Sequence, residues 1–279
     1  MRIRIDLSYD GSSFHGWAVQ PDLRTVQGEV HRALAMALRL DEVWVTCAGR
    51  TDTGVHARGQ VVHLDLDEAV FLKAAGRAAA TPEAALVRKL NGILDADVRV
   101  HAVRVVPEAF DARFSALWRR YAYRVADGPA VYDPLTRNHV LHWPRPLDLG
   151  VMNTAAADLL GLNDYTSFCK HREGATSIRR IERLTWERDE VGIATMTVLA
   201  DAFCHSMVRS LVGCLIAIGE GRKDVAWAGD MLAKATRSSD IHIASPRGLT
   251  LEEVGYPSDD ELEGRLLITR NRRQDSELG

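Results

Sequence analysis

Cys47-Ala48-Gly49-Arg50-Thr51-Asp52-Thr53-Gly54-Val55-His56-Ala57 is the stretch around which the chain is organised. One carboxylate, Asp52, stands between two glycines, with Arg50 two residues upstream. Glycine enters backbone conformations that other residues avoid, so the stretch predicts a sharply bent loop rather than a helix or strand. Val43-Trp44-Val45 before it and Val61-Val62-His63-Leu64-Asp65-Leu66 after it have the composition of short strands, which would hold the loop at both ends. An Asp on a rigid bend beside a cation suits a nucleophile or general base, because the guanidinium favours the charged carboxylate. A structural turn, with Asp52 accepting from main-chain amides, is the plainer reading. Asp52-Thr53-Gly54 also spells the aspartic-protease triplet. That chemistry needs two carboxylates sharing a proton, and one Asp-Thr-Gly would have to be doubled across a dimer.

With 279 residues, 46% hydrophobic and 26% charged, the chain has the make-up of a globular protein of one large or two small domains. No apolar run approaches the ~20 residues of a membrane span, and Met1-Arg2-Ile3-Arg4-Ile5-Asp6 lacks a signal core and enters a strand directly. Cys47, Cys169, Cys204 and Cys214 form no Cys-x-x-Cys pair and no metal spacing, so they are expected to be buried or incidental thiols in a reducing compartment, the cytoplasm. Cys204-His205 lacks a second pair of metal ligands. Net charge is −3, yet the charge is segregated. Arg113, Arg119, Arg120 and Arg124 lie in a stretch without acid, and Lys170, Arg172, Arg179, Arg180 and Arg183 form a second basic region. Local basic faces, not total charge, are what phosphate binding needs.

Taken in order, Ile3, Ile5, Leu7 and Tyr9 alternate onto one face of a strand over 2–9. Asp10–Ser13 is a turn and Phe14-His15-Gly16-Trp17 an aromatic loop. Thr25 caps a helix whose buried stripe is Val26, Val30, Leu34 and Ala37 or Leu38. After the Asp52 loop and its strands come a helix over 68–77, one from Thr81-Pro82 to Leu94, and a strand over 98–106. The second half repeats the theme. It has a strand at 117–125, an irregular stretch over 126–146, a helix over 148–160, and strands at 178–188 and 193–200. Apolar helix 205–218, helix 224–235 and strand 249–254 follow. The fold class is therefore α+β: two similar halves with mainly antiparallel sheets, helices packed on one side, and a cleft between the halves. Pro107-Glu108 divides a half over 1–107 from a half over 108–257, and residues 258–279 read as a charged, flexible tail.

Three stretches offer partners for Asp52. Arg119-Arg120-Tyr121-Ala122-Tyr123-Arg124 puts two tyrosines on one face of a strand and arginines on the other, a pattern suited to stacking on a base while gripping phosphates. His205-Ser206-Met207-Val208-Arg209 opens an otherwise apolar helix with a charge, and a charge there calls for a carboxylate: Asp52, or Asp201 and Glu220, which are nearer in sequence. Ser245-Pro246-Arg247-Gly248-Leu249 turns into an apolar strand that walls a pocket or simply packs.

These blocks resemble, in order and in register, the tRNA pseudouridine synthase A family. The resemblance rests on Tyr9-Asp10-Gly11-Ser12-x-Phe14-x-Gly16-Trp17, Arg24-Thr25-Val26-Gln27 and Gly49-Arg50-Thr51-Asp52-x-Gly54-Val55-His56-Ala57. It continues through Phe110-Asp111-Ala112-Arg113-Phe114-Ser115, Arg120-Tyr121-x-Tyr123, Phe203-x-His205-x-Met207-Val208-Arg209 and Gly248-Leu249, across roughly residues 3–256. It implies Asp52 as the catalytic carboxylate, Arg50 as the group that helps expel the target nucleotide, and Tyr121 as the ring that stacks on uracil and takes part in proton transfer. Arg209 would pair with Asp52 and Leu249 would wall the pocket, with Arg113, Arg120 and His205 among the substrate contacts. The family isomerises uridines around positions 38 to 40 of the tRNA anticodon stem-loop, as homodimers, without cofactor or metal. Ala18 stands where the family has Gln, with Gln20 displaced, Ser206 replaces a second His, and Thr53 fills a variable slot; these departures bear on substrate contacts. The competing expectation is a non-catalytic RNA-binding protein in which Asp52 only shapes its loop.

Overall fold

The structure is a computed structural model that describes residues 1–75, 81–170 and 176–269. It is α+β with mostly antiparallel strand pairing, and it divides into two compact units. The first comprises Met1–Leu117 with the described part of Leu251–Asn271, and the second Trp118–Thr250. The division thus falls later than the Pro107-Glu108 break, and the chain returns to the first unit near its end.

In the first unit the elements are β1 (Arg2–Tyr9), α1 (Val26–Leu38), β2 (Thr46–Cys47), β3 (His56–Asp65), α2 (Glu68–Ala75), α3 (Pro82–Ile93) and β4 (Val98–Val106). β1 is central: Ile5 lies opposite Val62 of β3 on one side and Val103 of β4 on the other, both antiparallel. Its alternation is what the sequence shows, with Ile3, Ile5, Leu7 and Tyr9 buried. Burial of each such side chain contributes roughly 1.5–3 kcal/mol. Thr25 and Thr81 cap α1 and α3 by accepting from the Gly28 and Ala84 amides, each at 3.2 Å. A cap of this kind is worth about 1 kcal/mol.

The strand expected at Val43–Val45 is not paired there. The ladder is the two-residue β2, in which Thr46 lies opposite His63. Val43 and Val45 are buried and Trp44 is exposed, so the alternation reports burial without main-chain pairing. β3 in turn begins five residues earlier than Val61, at His56. The part of the 68–77 helix beyond Ala75 lies outside the described residues.

The second unit runs through β5 (Trp118–Ala126), β6 (Leu141–His142), α4 (Leu149–Ala157), β7 (Gly161–Asp164), β8 (Ile178–Arg188), β9 (Ala194–Ala200), α5 (Met207–Gly219), α6 (Trp227–Ala233) and the start of β10 (Leu249–Gly255). Its strands run in the order β5-β9-β8-β7, and β6 lies parallel to β5. β7, which pairs Gly161 with Ile181 of β8, had no strand pattern in the sequence. Every residue of α5 is buried except Arg209. Within the first unit, β10 lies beside β3: a Cβ at Gly59 would sit 2.4 Å from the Glu252 carbonyl oxygen.

Residues 258–269, read as the start of a flexible tail, are structured. Ser258 and Glu261 form a reciprocal capping box ahead of α7 (Leu262–Thr269), and Leu262 is buried. Arg265 donates to the Ala116 carbonyl at 2.8 Å. Residues 270–279 lie outside the described residues. The reading of all four cysteines as thiols also needs correction. Cys169 and Cys204 are joined as a disulfide, with Cα atoms 5.7 Å apart, whereas Cys47 and Cys214 are free and buried. The fold brings together the turn after β7 and the residue ahead of α5, a pairing that no spacing could reveal.

Candidate active site

Asp52 lies on irregular backbone between β2 and β3, half-buried, with Arg50 exposed beside it. Other irregular backbone holds this loop. Trp17 donates its amide to the Thr51 carbonyl at 3.0 Å, and Gly54 donates to that of Phe14 at 3.3 Å. Thr51 shares a 2.8 Å hydrogen bond with the Tyr9 hydroxyl, and the Gln60 amide donates to the Gly49 carbonyl at 2.8 Å. Gly11 donates to His56 Nδ1 at 3.0 Å, which makes that ring nitrogen an acceptor.

Two glycines make the arrangement possible. A Cβ at Gly11 would lie 2.0 Å from the Val55 carbonyl oxygen. Gly16 has φ +88° and presses against Thr51 and Thr53, so any side chain there is both strained and crowded. Tyr9, Gly11, Gly16 and Trp17 are therefore the scaffold of the Asp52 loop, a role that the reading of 10–17 as a turn and an aromatic loop had missed. The signal was two glycines set among aromatics. The nearby Cys47 thiol is pushed up to about 11 by burial, with Arg50 and then Arg113 acting in the opposite direction. Both guanidiniums thus lie within electrostatic reach of the same edge of the loop. Arg113 itself is exposed, its cation 5.0 Å from the Phe114 ring centre.

In the second unit the candidate side chains Tyr121 and Arg209 stand on regular elements. Tyr121 is buried on β5, opposite Val198 of β9, and its ring meets that of Phe203 edge-on at 5.1 Å. Tyr123 shares its face of β5 and donates its hydroxyl to the Ser245 carbonyl at 2.8 Å. Burial pushes the Tyr123 phenol well above its ordinary range, and the Arg209 guanidinium, within electrostatic reach, pulls the other way. Arg209 Nε donates to the Ala244 carbonyl at 2.7 Å. Leu249 is buried at the start of β10; the preceding Gly248 lies so close to β5 that a Cβ would fall 2.7 Å from the Tyr123 ring.

The second unit therefore gathers Tyr121, Arg209 and the segment leading to Leu249, while Asp52, Arg50 and Arg113 belong to the first. Arg120 lies half-buried on β5, on the face opposite Tyr121. His205 is exposed, and its carbonyl accepts from the Lys170 amide at 2.9 Å. Glu220, a sequence-level candidate to pair with Arg209, is instead committed to Arg222, Arg145 and the Trp143 ring nitrogen. These groups hold its carboxyl below the usual range against the opposing effect of burial. Asp201 accepts from the Arg180 and Ala202 amides. Phe203, the ring that fixes Tyr121, and the main-chain carbonyls of Ala244 and Ser245 had no role in the sequence reading. Among the described residues no cluster of three His, Cys, Asp or Glu side chains could hold a metal ion, and no helix is long and apolar enough to cross a membrane.

Residues 155–257 match the family described as tRNA pseudouridine synthase. A Streptomyces griseus protein named tRNA pseudouridine synthase A is 52% identical over 275 residues, covering 98% of this chain and 94% of its own length. Proteins of the same name from Cutibacterium acnes and Mycobacterium leprae are 50% and 48% identical, over 99% and 98% of this chain and 96% of each relative.

Proposed function

The chain belongs to the tRNA pseudouridine synthase A family, and from that premise we propose that it isomerises uridine to pseudouridine in the anticodon stem-loop of tRNA, around positions 38 to 40. The observation that carries this reading is identity of about one residue in two with such enzymes along nearly the whole chain.

In the proposed reaction the N1–C1′ bond of uridine breaks, the uracil turns while still held, and C5–C1′ forms. N1 gains a proton and C5 loses one, so the product is an isomer and neither an oxidant nor water is consumed. No cofactor or metal is needed for that balance. The target must first leave the base stack, which costs a few kcal/mol. Arg50, exposed beside the loop, helps to expel it, and stacking on Tyr121 returns about 1–3 kcal/mol.

Asp52 acts as the nucleophile or base, at C1′, at C6 or on the C2′ proton. Its half-buried position on tightly bonded backbone supports that role, since a reacting carboxylate gains from being fixed before substrate arrives. Arg209, the residue of α5 that is not buried, is its cation. Leu249 walls the uracil. Arg113, Arg120 and His205 contact the RNA. The enzyme works as a homodimer in the cytoplasm.

The test is incubation of the purified protein with unmodified tRNA, without added cofactor or metal, followed by mass-spectrometric mapping. Pseudouridine in the anticodon arm is the expected result. Tight tRNA binding with no pseudouridine anywhere would leave only an RNA-binding protein.

A further inference from the structure

Arg209 and the segment His242–Ser245 hold each other by two reciprocal bonds. The Ala244 amide donates to the Arg209 carbonyl at 3.0 Å, and the Arg209 side chain donates back from Nε to the Ala244 carbonyl at 2.7 Å. The next carbonyl along, that of Ser245, takes the hydroxyl of Tyr123, two residues from Tyr121 on the same face of β5. With Nε held in this way, the Nη edge of the guanidinium is the part that would meet a carboxylate, in the bidentate geometry that arginine alone among the cationic side chains provides.

The segment reaches this position only because residue 213 is glycine. Gly213 lies in the middle of α5, one turn beyond Arg209, and a Cβ built there would stand 1.7 Å from the His242 carbonyl oxygen. The segment's main chain therefore lies directly on the main chain of the helix. The other residues of α5 are buried, so the segment rather than the helix is expected to shift if that space is filled. The segment would have to give way by on the order of 1.5 Å to restore ordinary contact. The Ala244 carbonyl would move with it.

We propose that Gly213 and the Ala244 main-chain carbonyl are positioning groups that aim Arg209 for the isomerisation, a role that rests on the function proposed above. They act through Arg209, which they hold by its side chain and its carbonyl. They fix the direction of the guanidinium rather than supply charge. A displacement of about 1 Å in a catalytic group can cost on the order of 100-fold in rate.

Gly213→Ala is the first test. The expected result is kcat lower by about 100-fold, with KM for tRNA unchanged within about threefold, because the RNA contacts away from Arg209 remain. Gly219→Ala is the control in the same helix. Its Cβ would crowd the buried Met152 side chain, with Sδ at 2.5 Å, and not the 242–245 main chain, so any loss should appear in stability while kcat stays close to wild type. A folded Gly213→Ala enzyme with wild-type kcat would overturn the proposal, as would a loss expressed in KM alone.

Arg209→Lys is the second test and leaves α5 intact, so it decides the matter if Gly213→Ala does not fold. Lysine keeps the charge but has no planar fork to be held by the Ala244 carbonyl. The proposal expects Arg209→Lys to lose nearly as much kcat as Arg209→Met. Retention of more than about one-tenth of wild-type kcat by the lysine variant would show that charge alone suffices and that aiming is not required. A wild-type enzyme that makes no pseudouridine would remove the function itself, and that failure is read in the parent protein before any variant is made.

Discussion

In the first unit Asp52 sits on a loop held largely by other irregular main chain, with Thr51 and Gly54 bonded to Trp17 and Phe14 and glycines at 11 and 16 that let main chain lie on main chain, and by the Tyr9 and Gln60 side chains from β1 and β3. In the second unit Tyr121 and Arg209 ride a strand and a helix; the Phe203 ring meets Tyr121 and the Ala244 carbonyl takes Arg209, while the next carbonyl, Ser245, takes the neighbouring Tyr123. The loop can place a short carboxylate where no regular element would, but it depends on many small contacts rather than on a ladder of its own. The strand and helix are stiff through their own ladders and buried faces, so a few external contacts suffice to aim their side chains. The carboxylate proposed to react and the larger groups proposed to serve it thus draw on different kinds of rigidity.

Crowding the first kind of support should have the largest effect. Gly11→Ala puts a methyl 2.0 Å from the Val55 carbonyl oxygen, and overpacking of this sort costs about 1–3 kcal/mol or more. It should lower turnover by about 100-fold through displacement of Asp52, together with a lower melting temperature. Near-normal turnover would show that the loop does not depend on this approach.

Removing a side chain that the second kind of rigidity aims should do less. Tyr121→Ala should lose about 5- to 100-fold in turnover, the worth of stacking one base. Tyr121→Phe should stay within about tenfold of wild type. Equal losses in the two variants would shift the role of Tyr121 from stacking to proton transfer.

The second unit also carries a covalent tie, Cys169–Cys204, that closes a separation of 35 residues. Its reduction should lower the melting temperature by roughly 5–10 °C, mainly through release of the unfolded chain. Turnover at 25 °C should be unchanged, since the Lys170 amide and the His205 carbonyl still join the two segments. Titration of four thiols in protein unfolded without reductant would show that the tie does not form in solution.

The mildest probe compares one thiol in each unit. Burial pushes Cys47 up to about 11 and Cys214 up to about 12. Neither is expected to react with iodoacetamide at pH 8 in the native protein, because the thiolate is the reactive form. Rapid labelling of Cys47 but not Cys214 would mean that the loop side opens while the helix side stays closed.

Much of the fold was legible because its signals are local. The alternation of β1, the Thr25 cap and the Thr81-Pro82 start all correspond to the elements found. β7 escaped notice because its residues are only partly buried and show no alternation. α7 is masked in the sequence by the charged stretch it follows, although Ser258 and Glu261 have the spacing of a capping box. In the candidate site, Asp52 and Arg50 stand out because they share one short motif. Tyr121 and Arg209 are a tyrosine in a core strand and a charge in an apolar helix, and the family resemblance singled them out. Gly213 and the Ala244 carbonyl could not be read at all: a main-chain oxygen has no residue signature, and a glycine in a helix reveals its purpose only when the segment lying on it is seen.

Single-turnover conversion of unmodified tRNA by wild type and by Asp52→Asn, followed by mass spectrometry alongside a binding measurement, addresses the central claim most directly. Wild type is expected to give pseudouridine in the anticodon arm and Asp52→Asn none, with tRNA affinity within about threefold in the two proteins, as when only the reacting group is removed. Substantial conversion by Asp52→Asn would contradict this and leave Asp52 as a residue that merely shapes its loop.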